Sequence, residues 1–382
     1  MKKNARVIAF YLPQYHPVPE NEEMWGKGFT EWTNVAKAKP LFKGHYQPQI
    51  PADLGFYDLR IKEVREEQAN LAKEAGIEGF CYWHYWFGNG RTILDMPFKE
   101  VLNDKKPDFP FCLAWANHSW SNKTWQKTNA FTKNIDFIKQ EYLGPEDYKK
   151  HFLYCLKAFK DERYIKVDGK PLFLIYNPKE IPNNKEFIEC WNKLALENGL
   201  NGIYFVARLE SFSFTSKIKL CDYEKEANKL YNKYLEYGYN AIAPTTLKYA
   251  DIMTGGYYRK AIKLYLAKKM GNVFPDKYNY KKIIKFLYSD LDKKENVFPQ
   301  LVPRWDKTPR QGKNAQVYYN STPEEFGKSI DLALDKIKEK DDEHKVLFLF
   351  AWNEWGEGAY MEPDLKFGHG YLDVLKNKIE EE

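Results

Sequence analysis

The chain has 382 residues, a formal net charge of +6, 17% aromatic residues and a mean hydropathy of −0.67. These values predict a water-soluble protein with a large core, and the mild positive charge excludes an ordinary nucleic-acid binder. No apolar run reaches the roughly 18 residues that a membrane-spanning helix needs.

The cysteines and the N-terminus indicate a cytoplasmic protein. The five cysteines are an odd number without paired spacing, and Cys81 and Cys112 lie in apolar runs. This pattern favours buried free thiols in a reducing compartment. The first apolar stretch stops at Pro13, which is too short for a signal peptide. We therefore expect a cytoplasmic location, at most peripheral to the inner membrane.

The first half of the chain alternates strand and helix patterns. Apolar runs predict strands at 6–12, 77–86, 109–115 and 171–176. A helical stripe occupies 60–75, with Gly76 beyond its end. The first strand is followed by a long polar and aromatic loop, and a loop of this length is usually functional or disordered.

The second half repeats the alternation. Strands are predicted at 202–207, 239–244, 298–305 and 346–351, and a helix at 185–198. Thr322 and Glu325 form a capping-box pattern that opens a further helix before the last strand.

Eight buried strands separated by helices predict parallel pairing, and the chain length fits a single (β/α)8 barrel domain spanning 1–382. Residues 251–296 break the alternation with interleaved lysines and aromatics, and we expect a helical insertion there between the sixth and seventh strands. A doubly wound open sheet is the rival fold. Neither a Gly-x-Gly-x-x-Gly motif nor a phosphate loop follows any strand, which counts against that rival.

The last predicted strand leads directly into two carboxylates. Glu354 and Glu357 follow a buried apolar run and are flanked by Trp352 and Trp355, with Asn353 beside them. Cleavage of a glycosidic bond needs one carboxyl to handle a proton at the bridging oxygen and a second group on the other side of the ring. Two solvated loop glutamates are the alternative interpretation. The adjoining buried strand and the two indoles favour the catalytic one.

Other candidate sugar-binding residues lie at the ends of the predicted strands, where barrel enzymes build their sites. The full set is Tyr11, Gln14, Tyr15 and Trp32 after the first strand, His84 and Trp86 at the end of the second, Asn117, His118 and Trp120 after the third, Arg304, Trp305 and Asp306 at the end of the seventh, and Asn353 and Trp355 after the eighth.

We expect one main pocket lined by residues from this set, including His84, Trp86, His118, Trp120 and Trp355, together with Trp305. Structural histidines, and an ion pair between Arg304 and Asp306, are the alternative interpretations. The sequence has no His-Glu-x-x-His, Cys-x-x-Cys or carboxylate cluster, and we expect no catalytic metal and no other cofactor.

Five separated sequence words are similar to one protein family: FYLPQYHP at 10–17, GFTEWTNV at 28–35, GFCYWHYWF at 79–87, AWANHSW at 114–120 and AWNEWGEGAYMEP at 351–363. They resemble the WbsX-like proteins that are encoded with bacterial surface-polysaccharide biosynthesis genes. Those proteins are related to glycoside hydrolase family 99, the endo-acting α-mannosidases. The resemblance covers 6–365 and implies a (β/α)8 barrel.

In the hydrolase family the last strand ends in an Asn-Glu-Trp-x-Glu-Gly word, which Asn353 to Gly358 match. The resemblance implies that Glu354 is the base for the sugar's own 2-hydroxyl, which attacks the anomeric carbon to give a 1,2-anhydro sugar. It implies that Glu357 protonates the leaving oxygen and then activates water, with net retention of configuration.

Three functions stay open at this point. The first is a retaining glycoside-cleaving enzyme, the second is a glycosyltransferase or transglycosylase of O-antigen or capsule biosynthesis, and the third is a non-catalytic glycan-binding barrel. The expected partner is an oligo- or polysaccharide, free or lipid-linked, and no nucleic acid. The lysine-rich segment 251–296 is interpreted either as a solvated helix face or as a peripheral membrane contact.

Overall fold

Short apolar and aromatic runs that are buried on both faces form eight strands of one barrel. The structure, a computed structural model, describes residues 3–121, 136–214, 219–270 and 274–380. The barrel strands are β1 (Arg6–Tyr11), β2 (Gly79–Trp86), β3 (Phe111–Trp115), β4 (Lys170–Ile175), β5 (Tyr204–Glu210), β6 (Ala241–Thr245), β7 (Gln300–Leu301) and β8 (Val346–Leu349).

Each strand from β1 to β5 pairs in parallel with the next one along the chain, and β8 lies between β7 and β1. The chain just before β7 joins it to β6. The backbone N–H of Ile242 donates to the carbonyl of Asn296 at 2.8 Å, and the N–H of Phe298 donates to the carbonyl of Ile242 at 2.8 Å. The barrel is therefore nearly closed. The predicted (β/α)8 fold is confirmed, and an open sheet with two free edges is wrong.

Helices surround the barrel and cover its outer face. They are α1 (Pro19–Trp25), α2 (Glu31–Ala36), α3 (Lys62–Glu74), α4 (Met96–Asp104), α5 (Pro145–Phe159), α6 (Asn184–Glu197), α7 (Tyr223–Glu236), α8 (Leu247–Gly255), α9 (Tyr257–Met270), α10 (Tyr280–Ile283), α11 (Thr308–Gln311), α12 (Pro323–Ile337) and α13 (Gly370–Ile379). None of the helices within the described ranges has the length and apolar character of a bilayer-spanning segment.

Local sequence signals explain where some of these helices begin. The Thr322 side chain accepts a hydrogen bond from the backbone N–H of Glu325, as the predicted capping box requires at the start of α12. The Glu325 carboxylate instead pairs with Lys328 at 2.7 Å. At α6, the Asn183 side chain accepts from the N–H of Glu186 in the same way.

The insertion predicted at 251–296 is only partly helical. It contains part of α8, then α9 and α10, but Asp276–Asn279 is a strand that pairs in parallel with Gln316–Tyr319. Residues 271–273 of this segment lie outside the described residues. The helical prediction misses a strand of this length because DKYN has no apolar run.

Candidate functional site

The chain beyond β8 brings two carboxylates to the end of the barrel where its parallel strands finish. Asn353–Glu354 pairs in antiparallel fashion with Ala359–Tyr360, and the turn between them carries Glu357. Glu354 is 7% exposed. Gly356 makes the turn possible, because a Cβ atom there would lie 1.5 Å from Oε1 of Glu31. The two glutamates are thus held on a tight turn against a third carboxylate.

Arg310, in α11, binds all three carboxylates. Its Nε and Nη2 atoms donate to Glu31 at 2.9 and 3.1 Å, Nη2 also donates to Glu354 at 2.5 Å, and Nη1 donates to Glu357 at 2.7 Å. Lys307, three residues earlier, places its Nζ 3.1 Å from Glu357. We call these five residues the carboxylate cluster. One guanidinium fixes both glutamates in one orientation because its donors are rigidly spaced.

The pKa values of Glu354 and Glu357 are shifted in opposite directions within this cluster. Burial raises the pKa of Glu354 to about 8, and the negative charges of Glu357 and Glu31 add to the effect, although Arg310 opposes it. Burial also acts to raise the pKa of Glu357, but Lys307 and Arg310 outweigh it and lower that pKa below its ordinary value. Burial raises the pKa of Glu31 as well. These opposite shifts favour a protonated Glu354 and an ionised Glu357 in the free protein.

A cavity of about 130 Å³ opens onto both glutamates and Arg310. Its remaining walls are Leu12, Trp83, Tyr85, Ala116, His118, Trp120, Tyr176 and Phe350. Pockets for drug-sized ligands are typically about 300–1,000 Å³, so this volume suits a single ring. Aromatic faces beside carboxylates can stack on the C–H face of a sugar and bind its hydroxyls.

Four of the sequence-predicted residues meet at this cavity: Glu354, Glu357, His118 and Trp120. The His118 ring lies 5.1 Å from the Tyr176 ring, centroid to centroid. Burial, with a smaller contribution from Arg208, lowers the pKa of His118 to about 4, so its imidazole is neutral at neutral pH. A neutral imidazole can both donate and accept a hydrogen bond, as a sugar hydroxyl requires.

His84 and Trp86 do not reach the cavity, which corrects the expectation of one shared pocket. Successive residues of a strand point to opposite faces. Trp83 and Tyr85 face the barrel interior and line the cavity. His84 and Trp86 face outward and contact His151 of α5. The sequence interpretation selected the wrong face of β2.

Several predicted residues form the scaffold behind the glutamates instead of the cavity wall. Asn353 accepts from the N–H of Leu12 at 2.7 Å and donates to its carbonyl at 3.0 Å. Tyr15 donates its hydroxyl to the Asn353 carbonyl. The Trp355 indole donates to Glu362 at 2.6 Å, and Trp32 packs on Trp355 at 5.4 Å between ring centroids. These contacts fix the backbone that carries Glu354.

Three more of the predicted residues are buried and connect neighbouring elements: Tyr11, Gln14 and Asn117. Tyr11, on the outward face of β1, donates to Gln68 of α3 at 2.7 Å. The Gln14 carbonyl accepts from the N–H of Glu31 at 3.2 Å, at the start of α2. Asn117 joins the loops after β3 and β4, because its side chain donates to the Asn177 carbonyl at 2.8 Å and accepts from the Asn177 N–H at 2.7 Å.

The three residues predicted after β7 lie beside a different cavity, of about 280 Å³. Arg304 and Asp306 do not pair with each other. Arg304 binds Asp364 at 2.5 Å, whereas Asp306 accepts from Gln47 at 2.7 Å and lies 2.7 Å from Nε2 of His45. Trp305 packs on Phe350 at 5.3 Å between ring centroids, so it forms a wall between the two cavities.

Sequence reasoning missed Arg310, Lys307, Glu31, Trp83 and Tyr85. Side chains alternate strictly between the two faces of β2, so Trp83 and Tyr85 lie on one face and His84 and Trp86 on the other. Choosing the other face would have identified the two aromatics that line the cavity. Nothing local identifies Arg310 or Lys307, which lie in a polar stretch after β7.

Comparisons with known proteins agree with this architecture. The family model described as "Glycosyltransferase WbsX" matches residues 7–375. WxcX of Xanthomonas campestris pv. campestris, strain B100, is 30% identical over 376 residues, which is 98% of this chain and 50% of the relative. The chain thus spans about half the length of this curated relative, and the same holds for WxcX of strain ATCC 33913.

Two solved structures share the fold. A glycoside hydrolase-like protein superposes with a TM-score of 0.63 at 14% identity, covering 100% of this chain and 95% of the other. The GH99 endo-alpha-mannosidase from Bacteriodes thetaiotaomicron gives a TM-score of 0.52 at 14% identity, covering 99% of this chain and 97% of that one. At this level of identity the likeness concerns the fold alone.

Proposed function

The chain belongs to the family described as glycosyltransferase WbsX, and from that membership we propose that it is a carbohydrate-active enzyme. It acts on glycosidic bonds of a bacterial surface polysaccharide or of its precursor, and Glu354 and Glu357 do the chemistry. The observation that carries this proposal is the pair of carboxyls held by one guanidinium in an aromatic cavity. The pair has one neutral and one ionised member, which is what glycosidic-bond chemistry by two carboxyls needs.

The roles implied by the hydrolase resemblance require Glu354 ionised and Glu357 protonated. The free protein has the opposite arrangement. We propose that Lys307 reverses it by leaving Glu357 when a glycan enters, since its side chain is 24% exposed. Without that ammonium the pKa of Glu357 rises, while Arg310 continues to favour an ionised Glu354.

We propose on this basis that substrate binding transfers a proton within the carboxylate cluster before the bond is broken. Glu354 then accepts the proton of the 2-hydroxyl, whose oxygen attacks the anomeric carbon. Glu357 gives its proton to the leaving oxygen, and the product of this step is a 1,2-anhydro sugar. Glu357 then deprotonates a water molecule, whose oxygen attacks the anomeric carbon and breaks its bond to the 2-oxygen. Glu354 returns its proton to that 2-oxygen, and configuration is retained overall.

Two isosteric substitutions test these roles. Glu357→Gln should abolish cleavage of an unactivated oligosaccharide and leave binding intact, because an amide of the same shape cannot give up a proton. An aryl leaving group needs no such proton, so its release should be impaired less. Glu354→Gln should remove both activities. Glu78→Gln is the control, since Glu78 pairs with Arg6 and belongs neither to the cavity wall nor to the scaffold behind the glutamates.

Unchanged turnover in either variant would move the chemistry to other residues. A glycosyl ester trapped on Glu354 or Glu357 would refute the 1,2-anhydro route and leave the catalytic pair standing. Binding without turnover in the wild-type protein, for every glycan bound, would favour the glycan-binding alternative.

Glycosyl transfer is the second candidate, and the family description as a glycosyltransferase favours it. The same two carboxyls serve transfer if an acceptor hydroxyl replaces water in the second step. Titration with nucleotide sugars separates the two cases. Saturable binding of a nucleotide sugar, followed by elongation of an acceptor glycan, supports transfer. A retaining hydrolase should ignore these compounds and release reducing sugar.

We further propose that the enzyme meets lipid-linked glycans at an anionic membrane surface, through α9. Residues 252–275 contain five Lys or Arg and no Asp or Glu. Tyr258 is 89% exposed, Ile262 59%, Tyr265 57% and Phe274 67%. Exposed aromatic and aliphatic side chains interleaved with cations suit the interface of an anionic bilayer. Asp276, which pairs with Arg259, Lys260 and Lys263, neutralises only part of this charge.

Sedimentation with vesicles tests this contact. Phosphatidylglycerol vesicles should bind the protein and phosphatidylcholine vesicles should not. Ile262→Glu should weaken the binding, and Leu196→Glu, at a 66% exposed position of α6, is the matched control. Equal binding of both variants, or binding that is indifferent to lipid charge, would refute the membrane proposal without touching the catalytic one.

A further inference from the structure

Three side chains of metal-ligating type meet on the outer side of β2, beneath α5 and away from the glutamate cavity. His84 projects from the outward face of β2. His151 and Cys155 lie four residues apart on α5, which places them on one face of that helix. The Nε2 atoms of the two histidines are 2.8 Å apart, and Sγ of Cys155 lies 3.9 Å from Nε2 of His84. All three ligand atoms lie within 4.8 Å of one another.

The surroundings of this group are apolar. His84 is 5% exposed, and His151 and Cys155 are each 1% exposed. The Trp86 ring stacks on His151 at 4.8 Å and the Tyr154 ring stacks on His84 at 5.5 Å, centroid to centroid.

Charged side chains lie at the edge of the cluster formed by His84, His151 and Cys155. Asp95 pairs with Lys99 at 2.8 Å and also accepts from the Tyr154 hydroxyl at 2.9 Å. Asp147 accepts from the Trp86 indole at 3.2 Å.

The distances suit a small transition-metal ion. Zinc binds imidazole nitrogen at about 2.0–2.1 Å and thiolate sulfur at about 2.3 Å, so ligand atoms around a tetrahedral zinc are about 3.3–3.6 Å apart. The observed 2.8 Å and 3.9 Å lie on either side of that range, each within about half an ångström. Small side-chain rotations are enough to bring the three atoms onto one ion.

We propose that His84, His151 and Cys155 form a zinc site with three protein ligands that joins α5 to the barrel. Two imidazoles and one thiolate select zinc over magnesium or calcium, which prefer oxygen ligands. Binding replaces the thiol proton with the metal ion, and one proton leaves to solvent for each zinc bound. No redox step is involved. The site lies on the opposite face of β2 from the glutamate cavity, whose wall includes the adjacent Trp83 and Tyr85.

Cobalt(II) titration of chelator-treated full-length protein tests the site. A Cys190→Ser, Cys221→Ser background removes the two cysteines that are not buried. We expect one equivalent of cobalt to bind with a thiolate-to-cobalt absorption band in the near ultraviolet. Cys155→Ala should eliminate the band, and Cys112→Ala, at another buried cysteine, should retain it. Zinc should displace the cobalt and raise the Tm.

Absence of the band in the starting background would overturn the proposal and leave His84 and His151 as a simple hydrogen-bonded pair. A band that survives Cys155→Ala would place the metal elsewhere. The titration of the starting background involves no substitution at the site. Its outcome therefore tests the proposal even if the Cys155→Ala variant misfolds. Native mass spectrometry of the untreated protein adds a second measurement, in which one zinc per chain is expected.

Discussion

Replacing Lys307 by methionine tests the electrostatic logic of the carboxylate cluster. The ammonium of Lys307 lies 3.1 Å from Glu357 and is one of the two cations that hold the pKa of that carboxyl down. Methionine keeps most of the length of the side chain and removes the charge. The variant should therefore raise the pKa of Glu357 and leave the backbone of the glutamate turn in place.

The size of the shift follows from the distance. At 3.1 Å two unit charges interact by about 1.3 kcal/mol at the dielectric constant of water and by about 5 kcal/mol at an effective value of 20. Each pKa unit corresponds to about 1.4 kcal/mol. Lys307 is 24% exposed and Glu357 16%, so solvent screens part of the interaction. We expect the pKa of Glu357 to rise in the variant, because a nearby opposite charge that favours its ionised form is lost.

Carbon-13 NMR of the glutamate carboxyls measures this pKa directly, with Glu357→Gln to assign the resonance. Lys366→Met is the control, because the Lys366 ammonium lies over the Tyr46 ring, 4.7 Å from its centroid. The pH dependence of kcat/KM then separates the roles. If Glu357 is the acid, the alkaline limb moves to higher pH. If it is the base, the acidic limb moves instead. An unshifted carboxyl resonance would refute the electrostatic account of the site.

Two further predictions concern stability. Gly356→Ala would place a Cβ 1.5 Å from Oε1 of Glu31 and 2.8 Å from Nε of Arg310, so it should break that buried pair and cost about 3 kcal/mol or more in urea unfolding. For Glu354→Gln, the Tm of the variant minus the Tm of the wild type should increase as the pH rises from 5 to 8.5. The folded-state pKa of about 8 exceeds the ordinary value, so ionisation of the unfolded chain progressively destabilises only the wild type across that window. A constant Tm difference would contradict the raised pKa.

The barrel could be predicted from the sequence because its signal is local. Each strand is a run of apolar residues, and the order of runs and helical stripes determines parallel pairing. The weakest prediction was the seventh strand. Residues 298–305 read as one continuous strand, whereas only Gln300–Leu301 pairs with β8. The chain before it pairs with β6 instead, and a change of partner within eight residues leaves no trace in composition.

The site was predicted less completely, for a different reason. Glu354 and Glu357 follow the clearest strand, so their position could be inferred. Trp355 and Asn353 share the same stretch, yet they point away from the cavity and hold the turn. Side-chain direction depends on the residue's position in the turn and on its tertiary partners, neither of which appears in a one-dimensional pattern. Arg310 joins the site from 44 residues upstream of Glu354, and only the fold makes them neighbours.

The charge count of the carboxylate cluster connects these observations to proton transfer. Among the residues that the structure describes, Glu31, Glu354 and Glu357 face two cations, Arg310 and Lys307, so full ionisation of these five groups would leave one negative charge in excess. Such a site retains a proton. The raised pKa values of Glu354 and Glu31 indicate that these two carboxyls, and not Glu357, share that proton.

The same count predicts what happens when one carboxyl is removed. Glu31→Gln makes two cations balance two carboxylates, so the pKa of Glu354 should fall towards its ordinary value, and the neutral member of the pair should be lost at neutral pH. The three carboxyls titrate together, and the pH dependence of kcat/KM reports the cluster as a whole. We therefore expect Glu31→Gln to shift that profile and lower activity at pH 7, although Glu31 does not line the cavity. An unchanged profile would show that Glu31 only anchors Arg310.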